Sequence, residues 1–107
     1  MIMVSVAKDF TRFPSGRYVQ NGDTSGQAFR ERFLEKPISR GETVVVDFDG
    51  TIGYGSSFLE EAFGGLVRKL KLPADFFLTH LTLKSADASI KEEVQEYIRE
   101  AAAAQQS

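Results

Sequence analysis

A run of β-branched residues that ends in an acid limits the fold of this chain more than any other feature. The run is Thr43-Val44-Val45-Val46-Asp47-Phe48, and β-branched side chains favour strands. Near-continuous hydrophobic strands are typically central in a sheet and buried on both faces. The run therefore predicts a central, covered strand. The chain has 107 residues, enough for one modest core and one domain over residues 1–107.

The flanking segments predict an α/β fold in which three helices pack on a small mixed sheet of about four strands. Alternation of apolar and polar residues predicts strands at residues 2–6 and 78–84, with a short one at residues 17–19. Apolar residues at helical spacing predict helices that begin near residues 24, 56 and 89. The predicted capping pairs at their starts are Thr24 with Gln27, Ser57 with Glu60, and Ser89 with Glu92.

Three further signals concern the ends and the middle of these helices. Pro37 is expected to stop the first helix, because proline disfavours helical geometry in the residue before it. Gly64-Gly65 inside the second helix indicates close packing, since each glycine costs about 1 kcal/mol relative to alanine there. The ordered core is expected to end near residue 100, with a frayed tail over Ala101–Ser107.

Composition excludes several classes of function. The chain has no cysteine, which excludes disulfides, thiolate metal sites and cysteine nucleophiles. Its net charge of −2 comes without a clustered basic face, so nucleic acid is not expected as a partner. No segment approaches the roughly 20 apolar residues of a membrane-spanning helix, and the first ten residues are too short an apolar run for a signal peptide. We expect a cytoplasmic protein that needs no cofactor.

The acid at the end of the central run gives an alternative enzymatic interpretation. A hydrophobic strand followed by Asp47-Phe48-Asp49-Gly50-Thr51 resembles the first motif of haloacid-dehalogenase-type phosphatases, whose two aspartates act with Mg²⁺. That family also needs a later lysine and an acidic pair at the ends of further parallel strands. Only 56 residues follow Thr51 here, with a single predicted strand and no Asp-Asp or Asp-x-x-x-Asp pair after it. We prefer the interpretation that Asp47 and Asp49 cap the strand-to-helix turn through local backbone hydrogen bonds. A minimal Mg²⁺-dependent phosphatase remains the alternative.

A longer pattern covers the same stretch. Asp47-Phe48 is followed by a short loop and then by Ser56-Ser57-Phe58-Leu59-Glu60 at the start of a glycine-containing helix. Upstream lies Gly22-x-x-Ser25-Gly26-x-x-Phe29-Arg30. Together these residues resemble the STAS-like family of small bacterial proteins, the DUF4325 type. Each piece alone is a weak signal, whereas the combination is specific.

The resemblance extends to the STAS domains of anti-sigma-factor antagonists, whose partner kinase phosphorylates a serine at the start of a helix. With Asp47 at the strand end, Ser56 stands at the phospho-acceptor position and Ser57 at the next one. Gly55 replaces the usual aspartate of that motif, and Phe58 replaces its glycine. The resemblance therefore implies Ser56 and Ser57 as phosphorylation candidates, while simple helix capping by these serines stays open.

These observations predict a non-enzymatic regulatory or adaptor domain that docks on a partner protein. The expected docking residues are Asp49, Tyr54, Gly55, Phe58 and Glu61. The resemblance implies a partner with a histidine-kinase-type ATPase fold, and a homodimer also stays open. No catalytic or metal-binding residue is assigned, because the only histidine, His80, falls in a predicted strand.

Four arginines near the loop at residues 22–26 allow two interpretations. They could bind an anion or a partner carboxylate, or they could pair with acids of this chain such as Asp23, Glu31 and Glu35. We prefer internal pairing. The residues concerned are Arg12, Arg17, Arg30 and Arg32.

Overall fold

Three parallel strands form one sheet, and the strand predicted to be central lies in its middle. The computed structural model describes residues 1–106. The strands are β1 (Ile2–Ser5), β2 (Val44–Asp47) and β3 (Leu81–Lys84), in the order β1-β2-β3. Val4, Val46 and Leu83 lie side by side in the two parallel pairings. The α/β class and the central position of β2 are confirmed. The sheet has three strands where about four were expected, and it is entirely parallel where a mixed sheet was expected.

Helices cover only one face of this sheet. Residues of the covered face belong to the same buried cluster as the apolar residues of the helices. On the other face Val45 and Asp47 are half-buried, and Thr82 beside Val45 is exposed. The expectation that β2 is buried on both faces is therefore wrong. We call this uncovered side the open face; its residues are Met3, Ser5, Val45, Asp47, Thr82 and Lys84.

The segment after β1 is helical and looped, without the short strand predicted at residues 17–19. A π-helical turn covers Val6–Phe10, and a 3₁₀ turn covers Val19–Asn21. The carbonyl groups of Gly16 and Arg17 accept the first two backbone amides of the following helix, each at 3.0 Å. Because these carbonyls cap a helix, they are not available to a sheet.

The N-cap of the first helix lies one residue later than predicted. This helix is α1 (Gly26–Phe29), and its N-cap is Ser25, whose hydroxyl oxygen accepts the Ala28 N–H at 3.1 Å. The predicted pair of Thr24 and Gln27 is wrong, because the Gln27 side chain accepts a loop N–H and donates to another side chain.

Pro37 does not end this helical segment. A π-helical turn over Arg30–Leu34 connects α1 to α2 (Glu35–Ser39), and Pro37 is the third residue of α2. Proline is tolerated in the first turn of a helix, where backbone amides lack helical partners in any case. The π turn just before it interrupts the usual hydrogen-bond ladder, so the expected stop is wrong.

The second predicted helix, over residues 56–70, is confirmed. Two α-helical pieces, α3 (Ser56–Leu59) and α4 (Gly65–Leu70), are joined by a π-helical turn over Glu60–Gly64. The close packing predicted at its glycines is also confirmed. A Cβ atom on Gly65 would collide with the Arg30 guanidinium.

The strand predicted at residues 78–84 begins only at Leu81. The residues before it form α5 (Ala74–His80), whose inner side carries the fully buried Phe77. Pro73 has extended backbone geometry just before this helix. The prediction therefore assigned the last residues of a short helix and the residues of β3 to one strand.

The last helix, α6 (Ala88–Gln106), confirms the helix predicted near Ser89. Its first turn is capped by Asp87, whose carboxylate accepts the Ser89 N–H at 2.9 Å, and not by the predicted pair with Glu92. The helix continues where a frayed tail was expected, and Ala101 and Ala102 are buried in the core. Ser107 lies outside the described residues. Within residues 1–106, α6 and every other helix are too short or too polar to cross a membrane.

Candidate functional site

Three loops meet at the edge of the sheet where the parallel strands end. In open α/β sheets, binding sites form outside the carboxyl ends of the strands. The loop after β2 is tied to the other two by hydrogen bonds: the Ile52 N–H donates to the Arg12 carbonyl at 3.0 Å, and the Ala86 N–H donates to the Asp49 carboxylate at 2.9 Å. This edge is therefore one continuous surface.

The two aspartates of the phosphatase-like motif make local contacts. The Asp47 carboxylate accepts the Asp49 N–H at 2.9 Å, as the capping interpretation predicts. Its other oxygen lies 3.9 Å from the Lys84 ammonium nitrogen. The Asp49 carboxylate accepts the Ala86 N–H. Within residues 1–106, no group of three or more histidine or acidic side chains is placed to hold a metal ion.

Tyr54 fixes the loop that leads to α3. Its hydroxyl donates to the Phe48 carbonyl at 2.7 Å, and its ring lies 5.5 Å from the Phe48 ring and 6.0 Å from the Phe58 ring. Burial raises the pKa of the Tyr54 hydroxyl to about 12, and the nearby carboxylates of Asp47 and Asp49 add to the effect. The side chain is half-buried, so it both supports the loop and reaches its surface.

Ser56 and Ser57 are exposed at the start of α3. The N-cap of this helix is Gly55, and no side chain makes a capping hydrogen bond there. The predicted capping pair of Ser57 with Glu60 is wrong, because arginines elsewhere in the fold bind the Glu60 carboxylate. Both hydroxyls therefore face solvent at a helix start.

Phe58 and Glu61, which the sequence placed among the docking residues, are interior residues. Phe58 is fully buried, with its ring 5.9 Å from that of Phe29 and 6.3 Å from that of Phe10. Glu61 is buried and paired with Arg30. Since a partner cannot reach either side chain, their assignment as docking residues is corrected: they hold the helix in place.

A network of ion pairs lies beneath this surface. Arg30 is buried and binds Glu61 and Glu35, the latter at 2.9 Å. Burial alone would lower the pKa of Arg30, but hydrogen bonds to the two carboxylates outweigh it and raise that pKa. Internal pairing, the preferred interpretation, is confirmed for Arg30, although its main partner is Glu61. The sequence did not predict that partner.

The outer part of the network centres on Glu60. Arg68 and Arg17 both bind its carboxylate, with the Arg68 contact at 2.7 Å. The hydrogen bond from Arg68 lowers the pKa of Glu60; burial opposes the effect, and Arg17 adds to it. These contacts join the loop after β1 to the helical segment over residues 56–70. Within residues 1–106, each arginine of this network is paired with a carboxylate of the chain, so the network is structural.

Sequence reasoning missed two apolar residues on the edge. Ile52 is 72% exposed and Phe13 is 61% exposed. They lie on the two loops that the hydrogen bond between Ile52 and Arg12 joins. The available signal for Ile52 was a single aliphatic residue in the glycine-rich loop after β2. We define the carboxyl-edge surface as Phe13, Asp49, Ile52, Gly55 and Ser56.

Comparison with known proteins identifies one family. The family described as a STAS-like domain of unknown function (DUF4325) matches residues 25–91, which is more than half of the chain. The match includes α1, β2, the loop after β2, and the helical segment over residues 56–70. No curated protein and no solved structure matches the chain.

Proposed function

The chain belongs to the STAS-like DUF4325 family, and we propose that it is a non-enzymatic regulatory domain that docks on a partner protein through the carboxyl-edge surface. The observation that carries the proposal is the exposure of Ile52 and Phe13 on two connected loops. Large apolar side chains of this kind serve as anchors when a partner buries them. Asp49 and Ser56 are exposed polar residues of the same surface.

The proposed partner is an ATPase of the histidine-kinase type, and the proposed switch is Ser56. Its hydroxyl is exposed at a helix start, where a partner kinase could reach it. Transfer of the γ-phosphoryl group of ATP to the Ser56 oxygen would release ADP and a proton. The new dianion would lie on the same surface as Ile52, where its desolvation cost opposes burial of an apolar anchor. Because such a kinase needs ATP, the proposal places the complex in the cytoplasm.

Tyr54 and the interior residues have a supporting role in this proposal. The hydrogen bond of Tyr54 to the Phe48 carbonyl holds the loop that presents Ile52 and Ser56. Phe58 anchors the helix start from inside. A preorganised loop loses less conformational entropy on binding, which strengthens docking without adding contacts.

The test is titration calorimetry with purified histidine-kinase-type ATPases from the genome that encodes this chain. We expect Ile52→Ser to weaken binding about thirtyfold, equivalent to about 2 kcal/mol for an interface anchor. Arg99→Ser, an exposed change on α6 that lies on neither the carboxyl-edge surface nor the open face, is the control and should bind like the original chain. Ser56→Asp should weaken binding, whereas Ser56→Ala should retain it. Unchanged affinity of Ile52→Ser would overturn the proposed surface.

The same proposal assigns no hydrolytic activity to Asp47 and Asp49. Their carboxylates already accept backbone amides of Asp49 and Ala86, which favours a structural role. We therefore expect no Mg²⁺-dependent turnover of an aryl phosphate. Turnover that Asp47→Asn abolishes would establish the phosphatase alternative in its place.

A further inference from the structure

The open face of the sheet is an unusual surface for parallel strands. All-parallel sheets normally have helices on both faces, whereas here Met3 is 70% exposed and Val45 is only half-buried. Lys84 at the far edge of the same face has a side chain that is 64% exposed. One layer of the usual three-layer arrangement is therefore missing from the described residues 1–106.

A shallow cavity of about 140 Å³ lies on this face between β1 and β2. Its lining includes the paired apolar residues Met3 and Val45 and the acids Asp9 and Asp47, with Asp47 nearer the carboxyl ends of the strands. Asp9 is held in place because its carboxylate accepts the Ser5 N–H at 2.7 Å. The cavity thus has both apolar and acidic lining residues.

The size of the open face indicates what could cover it. Each strand has four residues, so the face measures about 14 Å by about 13 Å from standard strand spacings. Its area of roughly 190 Å² is far below the roughly 800 Å² per partner of a stable interface between folded proteins. It is, however, wide enough for one α-helix, whose diameter is about 10 Å.

We propose that the open face binds a single amphipathic helix of a partner protein, with an apolar stripe over Met3 and Val45 and a lysine or arginine beside the acidic residues of the cavity. Such a side chain packs its aliphatic stem on apolar surface and keeps its charged group in polar surroundings. Asp9 supplies the complementary charge together with Asp47, whose carboxylate also lies 3.9 Å from the Lys84 ammonium nitrogen. This surface is distinct from the carboxyl-edge surface and does not depend on the function proposed there.

The experiment uses two synthetic peptides of about 18 residues, roughly five helical turns each. Both carry the same leucine stripe; one has arginine beside the stripe and the other has glutamate at the same positions. Each is titrated into the ¹⁵N-labelled chain, and amide chemical shifts are followed. We expect the arginine peptide to shift the amides of Met3, Val45 and Thr82, and to bind about tenfold more tightly than the glutamate peptide.

Variants test whether peptide binding depends on the open face and on its negative charge. Val45→Lys should weaken binding of the arginine peptide, and Asp9→Asn should reduce the difference between the two peptides. Ile52→Ser, on the carboxyl-edge surface, should bind both peptides like the original chain. Circular dichroism confirms that each variant is folded; if Val45→Lys is not, Thr82→Lys replaces it.

Three results would overturn the proposal. They are shifts confined to the carboxyl-edge surface, no shifts on the open face with either peptide, and a dimer in sedimentation equilibrium that Val45→Lys abolishes. The last result would mean that a second copy of this chain covers the face.

Discussion

The first two residues of the helical segment over residues 56–70 and the residues just after them lie in opposite environments, although they are neighbours in sequence. Ser56 and Ser57 are exposed, whereas Phe58 and Glu61 are buried and make specific interior contacts. All four residues belong to the stretch that carries the family resemblance. The comparison teaches that such a stretch combines residues that support the fold with residues that are free to meet a partner. Burial separates the two groups.

Truncation of one apolar residue from each environment gives the largest expected contrast. Phe58→Ala should lower the free energy of unfolding by about 3–5 kcal/mol, because it leaves a cavity among buried rings. Ile52→Ala, at an exposed site, should change it by less than about 0.5 kcal/mol. Urea unfolding followed by circular dichroism measures both. Similar losses for the two variants would show that the loop after β2 is part of the core.

Two glycines provide a second contrast of smaller size. A Cβ atom on Gly26 would collide with the Phe58 carbonyl oxygen and lie 3.0 Å from the Ala62 nitrogen, both of which are backbone atoms. Gly26→Ala should therefore cost about 1–3 kcal/mol by overpacking, despite the higher helix propensity of alanine. Gly53→Ala is the control, since nothing lies within 4 Å of its Cβ position. A stabilising Gly26→Ala would mean that the two helices can move apart freely.

Tyr54 lies between the two environments, and pH tests its position. Its pKa is raised to about 12 in the folded chain, against about 10 when unfolded. The neutral hydroxyl therefore contributes stability that is complete below about pH 10 and is lost as pH rises toward 12. Because the side chain is only half-buried, we expect a loss below about 1 kcal/mol.

The measurement compares thermal unfolding of Tyr54→Phe and the original chain from about pH 8 to about pH 11. The difference in stability between them should shrink as pH rises, since phenylalanine cannot ionise. A difference that does not change with pH would show that the Tyr54 hydroxyl is freely solvated in the folded chain.

The smallest effect is expected at Ser56. Since no side chain caps α3, Ser56→Ala should change the free energy of unfolding by less than about 0.5 kcal/mol. Ser56→Asp should also leave it nearly unchanged, because a negative charge at a helix start is favourable. A loss near 1 kcal/mol for Ser56→Ala, the usual cost of removing a cap, would show that the Ser56 side chain caps α3.

The sequence was sufficient where a signal is local and strong. The β-branched run predicted the central β2, and helical spacing of apolar residues predicted the segment over residues 56–70. It was insufficient where tertiary contacts override local preference. Pro37 lies inside α2 because a π turn precedes it, and Leu78 lies in α5 although it resembles the start of a strand.

Burial of the candidate site could be predicted only in part. Asp49, Gly55 and Ser56 lie on the surface that was expected, and the family is the one that was expected. The burial of Glu61 depends on Arg30, which is 31 residues away in sequence, and no spacing rule connects the two. The exposure of the open face could not be predicted either. Val45 belongs to a run of β-branched residues, and such runs are typical of strands buried on both faces.

The order of the strands has a consequence for the synthesis of this chain. Each strand pairs with the next one along the sequence, and a long connection precedes every pairing, as between Val4 and Val46. At the usual rate of about 5–20 residues per second, β1 emerges from the ribosome several seconds before β2 is available to pair with it. During that interval the apolar residues of β1 have no partner strand. Chaperone depletion during synthesis should therefore reduce the yield of folded protein.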